Sequence, residues 1–386
     1  MKRLEEICIF IRNGLNIKNN KSKKGIPITR IETISNGIID INKTGYADIF
    51  NEKYSDYYLQ KDDILMSHIN SLKHLGKVGY CYYDMKIIHG MNLLNIRVNP
   101  NNVYPKYLYY YFKSNNFKIK LNKISKQSVN QSSFSISDLK KIRIDIIDLK
   151  KQKLIASKLD KVVEVISIRK KQIEELNNLI KSQFVEMFET IKRYVELQKV
   201  CLFINGDRGE NYPSGDKISK NKEGVAFINA GLLESNKVNW SNMNYISEDT
   251  YNNLRSGKIQ KDDILYCLRG SLGKCAIIDF SERGAIASSL VILRANKNEI
   301  NPNFLLIQLG MEEILYQQNQ ANNGSSQPNL SANSVKKYKI LLPPITLQNQ
   351  FSEIVKQIDK QKFESMIQLK MMEKIYNIIN DRRRYV

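Results

Sequence analysis

The hexapeptide Gln-Lys-Asp-Asp-Ile-Leu occupies residues 60–65 and returns, letter for letter, at residues 260–265 of a chain of 386 residues. Shorter matches keep the same order at nearly the same spacing; the dipeptide Gly-Lys, for example, stands at 76–77 and again at 273–274. Matches that stay in register over a long span indicate that a whole structural unit has been duplicated. The sequence therefore predicts a fold that is built twice.

The charge balance of the chain is strongly basic. Its 60 Lys and Arg residues against 39 Asp and Glu residues give a net charge of +21. Such a surplus attracts polyanions and speeds association with them. The codon bias of an AT-rich genome would also raise the Lys content, but it does not explain why acidic residues fail to keep pace. We therefore expect a nucleic acid as partner.

The composition also indicates the cellular compartment in which the protein is expected. No apolar run reaches the 18 or so residues of a membrane-spanning helix. The first residues lack the apolar stretch and cleavage site of a signal peptide. The five cysteines never form a Cys-x-x-Cys pair, which favours reduced structural thiols. We expect a cytoplasmic protein without a membrane contact.

Two segments have the period of long helices. Residues 150–189 contain neither Gly nor Pro, and the second segment follows the Pro-Pro pair at 343–344. Apolar side chains recur every seventh residue in both, as in the seam of a coiled coil. A companion row of Ile354 and Ile375 is expected beside the second seam. The residues expected to pair are Leu159, Ile166, Ile173 and Ile180 in the first helix, and Ile358, Met372 and Ile379 in the second.

An apolar seam needs a partner, and the duplicate helix is the nearest one. We expect the two helices to pair as an antiparallel coiled coil, although each could instead pack on its own block or on another protein. The rest of the chain has short apolar runs broken by polar and Gly residues, which indicates an α+β fold. The predicted order is a domain at 1–149, a central helix at 150–190, a second domain at 191–344 and a C-terminal helix at 345–386.

No pattern of residues indicates catalysis. The phosphate-binding glycine motifs are absent, as is the Asn/Asp-Pro-Pro-Tyr/Phe tetrapeptide of amino-methyltransferases. All three histidines lie in the first block without copies in the second, and no Cys or acidic cluster near them suggests a metal site. The paired aspartates of the hexapeptide look like metal ligands, but the Gln-Lys before them favours a polar turn that enters a strand. We predict neither catalytic residues nor a metal site.

The repeated polar loops suit binding instead. The second block has Arg-Gly-Ser-Leu-Gly-Lys directly after a strand, where glycines permit close approach and the cations can reach phosphate or guanine edges. The first block has a longer loop there, without Arg-Gly. A second shared loop precedes Ser135 and Ser331, which could equally cap helices, and a basic stretch stands early in each block. The candidate DNA-binding residues are Arg208, Lys217, Arg269, Ser271, Lys274, Ser325 and Gln327 in the second block, and Lys21, Lys23, Asn70, Ser71, Lys77 and Gln131 in the first.

The order of these features resembles the specificity subunit of type I restriction–modification systems. Two dissimilar blocks alternate with two similar helices, and the string Leu-Pro-Pro-Ile-Thr-Leu-Gln-Asn-Gln at 342–350 has a degenerate copy at 147–152. The Arg-Gly-Ser-Leu-Gly-Lys and Ser-Ser-Gln-Pro-Asn-Leu-Ser loops add to the likeness, which covers nearly the whole chain. The first copy departs from the family's pattern, because it lacks the Pro-Pro pair before its helix and the Arg-Gly of the loop.

The resemblance implies a division of labour. Each block would be a target recognition domain that reads one half of a split, asymmetric sequence in double-stranded DNA. The helices would act as a spacer and as docking sites for two methyltransferase subunits, which carry S-adenosylmethionine and modify adenine. The chain itself would bind no cofactor and catalyse nothing, and the resemblance leaves open whether restriction subunits join the complex.

The sequence leaves two other hypotheses open. The chain could be a DNA-modifying enzyme whose active site is not recognised in the sequence. It could also be an orphan interaction protein that binds methyltransferase subunits without reading DNA.

Overall fold

The computed structural model describes residues 1–17, 19–20, 24–49, 52–128, 131–220, 222–321 and 329–382. It divides into two compact units. Unit 1 comprises Met1–Lys171 together with Ser365–Val386, and unit 2 comprises Gln172–Glu364. Within the described residues, no helix has both the length and the apolar character needed to cross a membrane.

The first segment of unit 1, Met1–Lys171, begins with short strands and ends within a long helix that continues into unit 2. Its strands are β1 (Lys2–Arg3), β2 (Cys8–Asn13), β3 (Asn19–Asn20), β4 (Ile26–Ile28), β5 (Gly45–Ala47), β6 (Tyr58–Leu59), β7 (Ile64–Ser67), β8 (Ile69–Asn70), β9 (Val78–Tyr80), β10 (Met85–Ile88), β11 (Leu93–Val98), β12 (Lys126–Gln127), β13 (Ser132–Ser133) and β14 (Arg143–Ile144). Its helices are α1 (Leu4–Ile7), α2 (Pro105–Phe112), α3 (Asn115–Ile124), α4 (Ile136–Lys141) and the long α5 (Leu149–Phe188).

Unit 2 repeats this plan. Its strands are β15 (Tyr194–Glu196), β16 (Cys201–Asn205), β17 (Val225–Ile228), β18 (Leu233–Glu234), β19 (Lys237–Val238), β20 (Asn244–Ile246), β21 (Ile264–Cys267), β22 (Cys275–Ile277), β23 (Gly284–Ile286), β24 (Leu290–Ala295) and β25 (Lys339–Leu341). Its helices are α6 (Leu197–Val200), α7 (Glu248–Asn253), α8 (Pro302–Gln308), α9 (Glu312–Ala321), α10 (Ala332–Lys336) and the long α11 (Ile345–Asp381).

The main sheets of the two units have the same topology. Unit 1 has the antiparallel order β2-β11-β7-β9, and unit 2 has β16-β24-β21-β22. A second sheet also matches, because β4 is parallel to β10 and antiparallel to β5, just as β17 is parallel to β23 and antiparallel to β20. The structure thus confirms the α+β class and the duplication.

The repeated hexapeptide forms the same turn in both units. The N–H of Asp63 donates to the carbonyl of Gln60 (3.1 Å), and Asp62 has a φ of +71°. In unit 2, Asp262 has a φ of +70°. This left-handed conformation is what the third position of a type II turn requires, and Asp tolerates it better than most residues. The first aspartate of each pair therefore shapes a turn that enters β7 or β21.

The second aspartate of each pair is buried and holds an arginine on the central strand. The carboxylate of Asp63 accepts two hydrogen bonds from Arg97 at 2.7 and 2.8 Å, and that of Asp263 accepts two from Arg294, both at 2.8 Å. Hydrogen bonding to the carboxylate raises the pKa of Arg97 and of Arg294. Such two-pronged pairs fix geometry as well as charge, and each one ties the turn to the strand beside it.

The two long helices share a seam that is divided between the units. The first half of α5 packs in unit 1 with the second half of α11, and their other halves pack in unit 2. This division is what an antiparallel pair requires. Of the residues expected to pair, Leu159, Ile180 and Ile358 are buried, and Ile166, Ile173, Met372 and Ile379 are half-buried.

The expected companion row of the second helix is correct at Ile354, which is half-buried against the core of unit 2, and wrong at Ile375. Val355 is buried and Tyr376 half-buried, whereas Ile375 is exposed. Seam positions alternate spacings of three and four residues, and from Phe351 that alternation reaches 355 and 376 rather than 354 and 375. The prediction of Ile375 followed the isoleucines, because Lys362 and Ser365 break the apolar pattern in the middle of the seam.

A buried glutamine anchors the start of each long helix. The side chain of Gln348 accepts from the N–H of Asn301 (2.8 Å) and donates to the carbonyls of Glu299 (3.0 Å) and Pro343 (2.8 Å). Gln152 accepts in the same way from the N–H of Tyr104 (2.8 Å). The string at 342–350 and its degenerate copy therefore share a structural role.

Candidate nucleic-acid interface

The predicted binding loops of unit 2 leave the main sheet at one edge. Strand register places Asn205 opposite Val291 and Cys267 opposite Leu290, so the end of β16 and the end of β21 lie together. The loop after β21 returns into β22 beside Tyr266. We call this side, with the connections at 206–224 and 268–274, the loop edge of unit 2.

The loop at 268–274 is held by its backbone, and its polar side chains are left exposed. The N–H of Cys267 donates to the carbonyl of Lys274 (2.8 Å), and Leu268, the first residue of the loop, is buried. Arg269 and Ser271 are exposed and Lys274 is half-exposed. Gly270 has a φ of +83°, and a Cβ built on it would meet nothing within 4 Å. The loop therefore presents a cation beside open space, where another backbone can approach closely.

The second predicted loop of unit 2 ends against the first. Arg269 forms a backbone bridge with Asn329, and the N–H of Leu330 donates to the carbonyl of Leu268 (2.8 Å). Loops that are about 60 residues apart in sequence therefore meet at the same edge through a strand-like contact. The candidates Ser325 and Gln327 lie outside the described residues.

Helix capping explains part of this second loop. Ser331 accepts a hydrogen bond from the N–H of Ser334 (2.9 Å), and Ser135 accepts one from the N–H of Asp138 (3.1 Å). Both serines have the extended backbone of an N-cap residue. The capping alternative is therefore correct for these two serines.

The basic stretch early in unit 2 also emerges at the loop edge. Arg208 and Lys217 are exposed on the connection that follows β16. The buried carboxylate of Asp207 fixes this connection, because it accepts from the N–H groups of Arg208 and Arg255, both at 2.6 Å. These hydrogen bonds order the backbone at the start of the connection and leave the Arg208 side chain exposed.

Unit 1 has a loop edge of the same construction. Asn13 at the end of β2 lies opposite Leu94, and Ser67 at the end of β7 lies opposite Leu93. Here the bridge between the two polar loops has become a small sheet, in which Asn70 of β8 pairs with Ser132 of β13. Ser71, Lys77 and Gln131 are exposed. The candidates Lys21 and Lys23 lie outside the described residues.

Two buried histidines near the loop edge of unit 1 add no charge at neutral pH. Burial lowers the pKa of His68, and it lowers the pKa of His89 to about 4. Both rings are therefore neutral near pH 7 and contribute no positive charge to this edge. The structure describes no group of three or more His, Cys, Asp or Glu side chains, among the residues it covers, that could hold a metal ion.

Sequence reasoning overlooked a dipeptide that both loop edges need. Asn-Gly follows the edge strand at 13–14 and again at 205–206. A Cβ on Gly14 would lie 2.2 Å from the carbonyl oxygen of His89, and one on Gly206 would lie 2.7 Å from that of Ala287. Only glycine fits where these backbones cross, and the repeat itself was the signal that could have identified it.

Comparison with known proteins gives one consistent result. The family model for the type I restriction modification DNA specificity domain matches residues 1–178 and again 194–371. A protein of Methanocaldococcus jannaschii, named as the MjaX type I restriction enzyme specificity subunit, is 34% identical over 98% of this chain and 92% of its own length.

Solved structures agree on the fold. The S subunit of a type I restriction–modification system from M. genitalium has a TM-score of 0.58 at 17% identity, covering 99% of this chain and 95% of its own. A chain from a study of complex assembly and conformational transition in a type I system has a TM-score of 0.57 at 15% identity, covering 99% and 96%.

Proposed function

The chain belongs to the family of type I restriction modification DNA specificity domains, and from that membership we propose that it is the DNA-reading subunit of such a system. It recognises a DNA target and assembles with the other subunits, which carry out the catalysis. The observation that carries this proposal is the loop edge, since each unit brings its exposed polar and cationic loops to one side of its main sheet. Cations position the protein on phosphates, and polar side chains read base edges.

The target that follows is bipartite and asymmetric. Each unit has its own loop edge, which supports one half-site per unit. The loops differ, because unit 2 presents Arg269 after its strand whereas unit 1 presents Asn70 and Ser71. Different donors and acceptors favour different base pairs, so the two half-sites differ in sequence.

The long helices supply a docking surface for the partners. Both carry exposed apolar side chains outside the seam, and surfaces of this kind mark protein interfaces. Because each unit holds half of each helix, we propose that two methyltransferase subunits dock, one for each unit, and that S-adenosylmethionine binds to them. These exposed residues are Leu154, Val163, Ile168, Ile367, Met371, Ile375 and Ile378 in unit 1, and Leu179, Val185 and Phe363 in unit 2.

The test is to co-express the chain with its methyltransferase partner in a host free of adenine methylation. We expect methylated adenines within one asymmetric motif of two separated half-sites, and a purified complex whose mass corresponds to one copy of this chain and two of the partner. A continuous palindrome, or methylation without sequence preference, would contradict the proposed reading function. A complex with one methyltransferase would contradict only the stoichiometry.

Replacement of Arg269 by Ala probes the loop edge of unit 2. We expect this change to relax one position of a single half-site, or to slow methylation about tenfold to a hundredfold, because a cation that contacts a base is worth about 1–3 kcal/mol. The measurement is the methylated motif and the rate of methylation by the complex. Lys261→Ala, an exposed cation in the hexapeptide turn at the other end of the strand, is the control. An unchanged motif and rate would remove Arg269 from the interface.

A further inference from the structure

Unit 1 has a cleft at its loop edge, and the residues that line it differ from those at the corresponding positions of unit 2. Three segments line it: residues 15–17 after β2, residues 28–32 at the end of β4, and residues 90–92 before β11. Its volume is about 360 Å³, enough to admit the edges of a base pair together with side chains that contact them. The cleft therefore opens where the DNA would lie if the proposed function is correct.

The walls of the cleft are fixed by close backbone contacts. The N–H of Leu15 donates to the carbonyl of His89 (3.0 Å), and the N–H of Thr29 donates to the carbonyl of Ile88 (2.9 Å). The N–H of Gly90 donates to the hydroxyl of Thr29 (2.9 Å), and a Cβ on Gly90 would come within 2.5 Å of the carbonyl oxygen of Thr29. A site whose frame is already rigid loses little entropy on binding.

Arg30 lies in this cleft at a position where an arginine side chain does not cap the helical turn that follows. It precedes the short helical turn at Ile31–Ile34, in the N-cap position. The corresponding residue of unit 2 is Asn229, whose side chain accepts from the N–H of Gly231 (2.9 Å) and so caps its turn. A guanidinium has donors but no acceptor and cannot cap. Within the described residues, no carboxylate forms an ion pair with Arg30.

The second charged group in the cleft favours a base edge over a phosphate. Glu32 lines the same cleft two residues away from Arg30 and is exposed. A carboxylate repels a phosphate, but it accepts a hydrogen bond from the amino group of cytosine. Arginine gives the two-pronged contact to guanine that is the commonest specific contact in the major groove. One donor group and one acceptor group in the same cleft therefore match the two bases of a G·C pair.

We propose that Arg30 reads a guanine in the half-site recognised by unit 1, with Glu32 facing the paired cytosine. This inference rests on the proposed function. It also accounts for the loop of unit 1 that lacks Arg-Gly, because the arginine that unit 2 carries on its β21–β22 loop is supplied in unit 1 from the end of β4.

The test is the methylated motif of the complex when it carries Arg30→Ala or Arg30→Lys. We expect one G·C position of one half-site to become degenerate in both variants, since Lys keeps the charge but lacks the fork of donors. The half-site that changes with Arg269→Ala should stay intact. The matched control is Arg143→Ala, which removes an exposed arginine of unit 1 outside the cleft and should leave the motif unchanged.

Other outcomes separate the possibilities. A rate that falls equally on all sequences, with a shallower dependence on salt, would mean that Arg30 contacts a phosphate and would overturn the inference. An unchanged motif, or a change in the half-site of unit 2, would also overturn it. Circular dichroism melting of each variant shows whether unit 1 is folded. Failure of the wild-type complex to give a bipartite motif would instead count against the proposed function.

Discussion

Replacement of Asp263 by Asn is expected to lower the free energy of unfolding of unit 2 by about 3 kcal/mol, because removal of one partner from a buried ion pair leaves the other without compensation. The side chain of Asp263 is 1% exposed and that of Arg294 is 27% exposed, so water can replace little of what is lost. The new amide would also turn N–H groups toward the guanidinium. Chemical denaturation of the full-length chain, followed separately for each unit, measures the effect.

The neighbouring aspartate provides a matched control. Asp262 pairs with Lys297, whose side chain is 62% exposed, and pairs of this kind contribute at most about 1 kcal/mol. Asn also tolerates the positive φ at this position. Asp262→Asn should therefore cost less than about 1 kcal/mol. Equal losses for the two adjacent substitutions would show that the buried pair has no special role.

The second large effect is expected for Phe351→Ala, at about 3–5 kcal/mol. Phe351 is fully buried in unit 2, and its ring lies 5.7 Å from that of Phe184, 5.5 Å from that of Phe188 and 6.1 Å from that of Phe304. The substitution leaves a cavity where α11, α5 and α8 meet, and the surrounding side chains fill it incompletely. The measurement is the unfolding midpoint of unit 2 in the full-length chain.

Phe363→Ala is the control for this prediction, since it makes the same change on the same helix. The side chain of Phe363 is 61% exposed, and we expect its loss to change stability by less than about 0.5 kcal/mol. It should instead weaken association with the partner subunits. A large loss of stability at both positions would mean that the seam of α11 faces a different direction.

The duplication and the long helices could be predicted from sequence because their signals are periodic. The two copies of the hexapeptide aligned the units, and the absence of Gly and Pro from residues 150–189 indicated one continuous helix. The sequence-based prediction of Ile375 rather than Tyr376 as a seam residue was wrong. It followed apolar character alone, whereas the heptad positions of the seam are also occupied by polar residues such as Lys362.

The sequence predicted which loops belong to the candidate site, but it did not predict that those loops meet in one surface. Nothing in the sequence shows that Arg269 meets Asn329, because strand register sets contacts between distant residues. Arg30 was overlooked for a different reason. A search for features present in both copies passes over a residue that one copy has and the other lacks, and half-site differences should arise from such residues.

The division of the long helices has a consequence for synthesis on the ribosome. Unit 2 is one continuous stretch, Gln172–Glu364, whereas unit 1 needs Ser365 onward to complete its helix pair. Domains fold as their sequences emerge. Unit 2 is therefore the first unit whose residues have all been synthesised, although the synthesis of unit 1 begins earlier. Until the last turns of α11 have been synthesised, the cluster of unit 1 that contains Ile155 and Leu159 lacks the packing of Tyr376 and Ile379. An early stop codon in α11 would therefore destabilise the unit that was translated first.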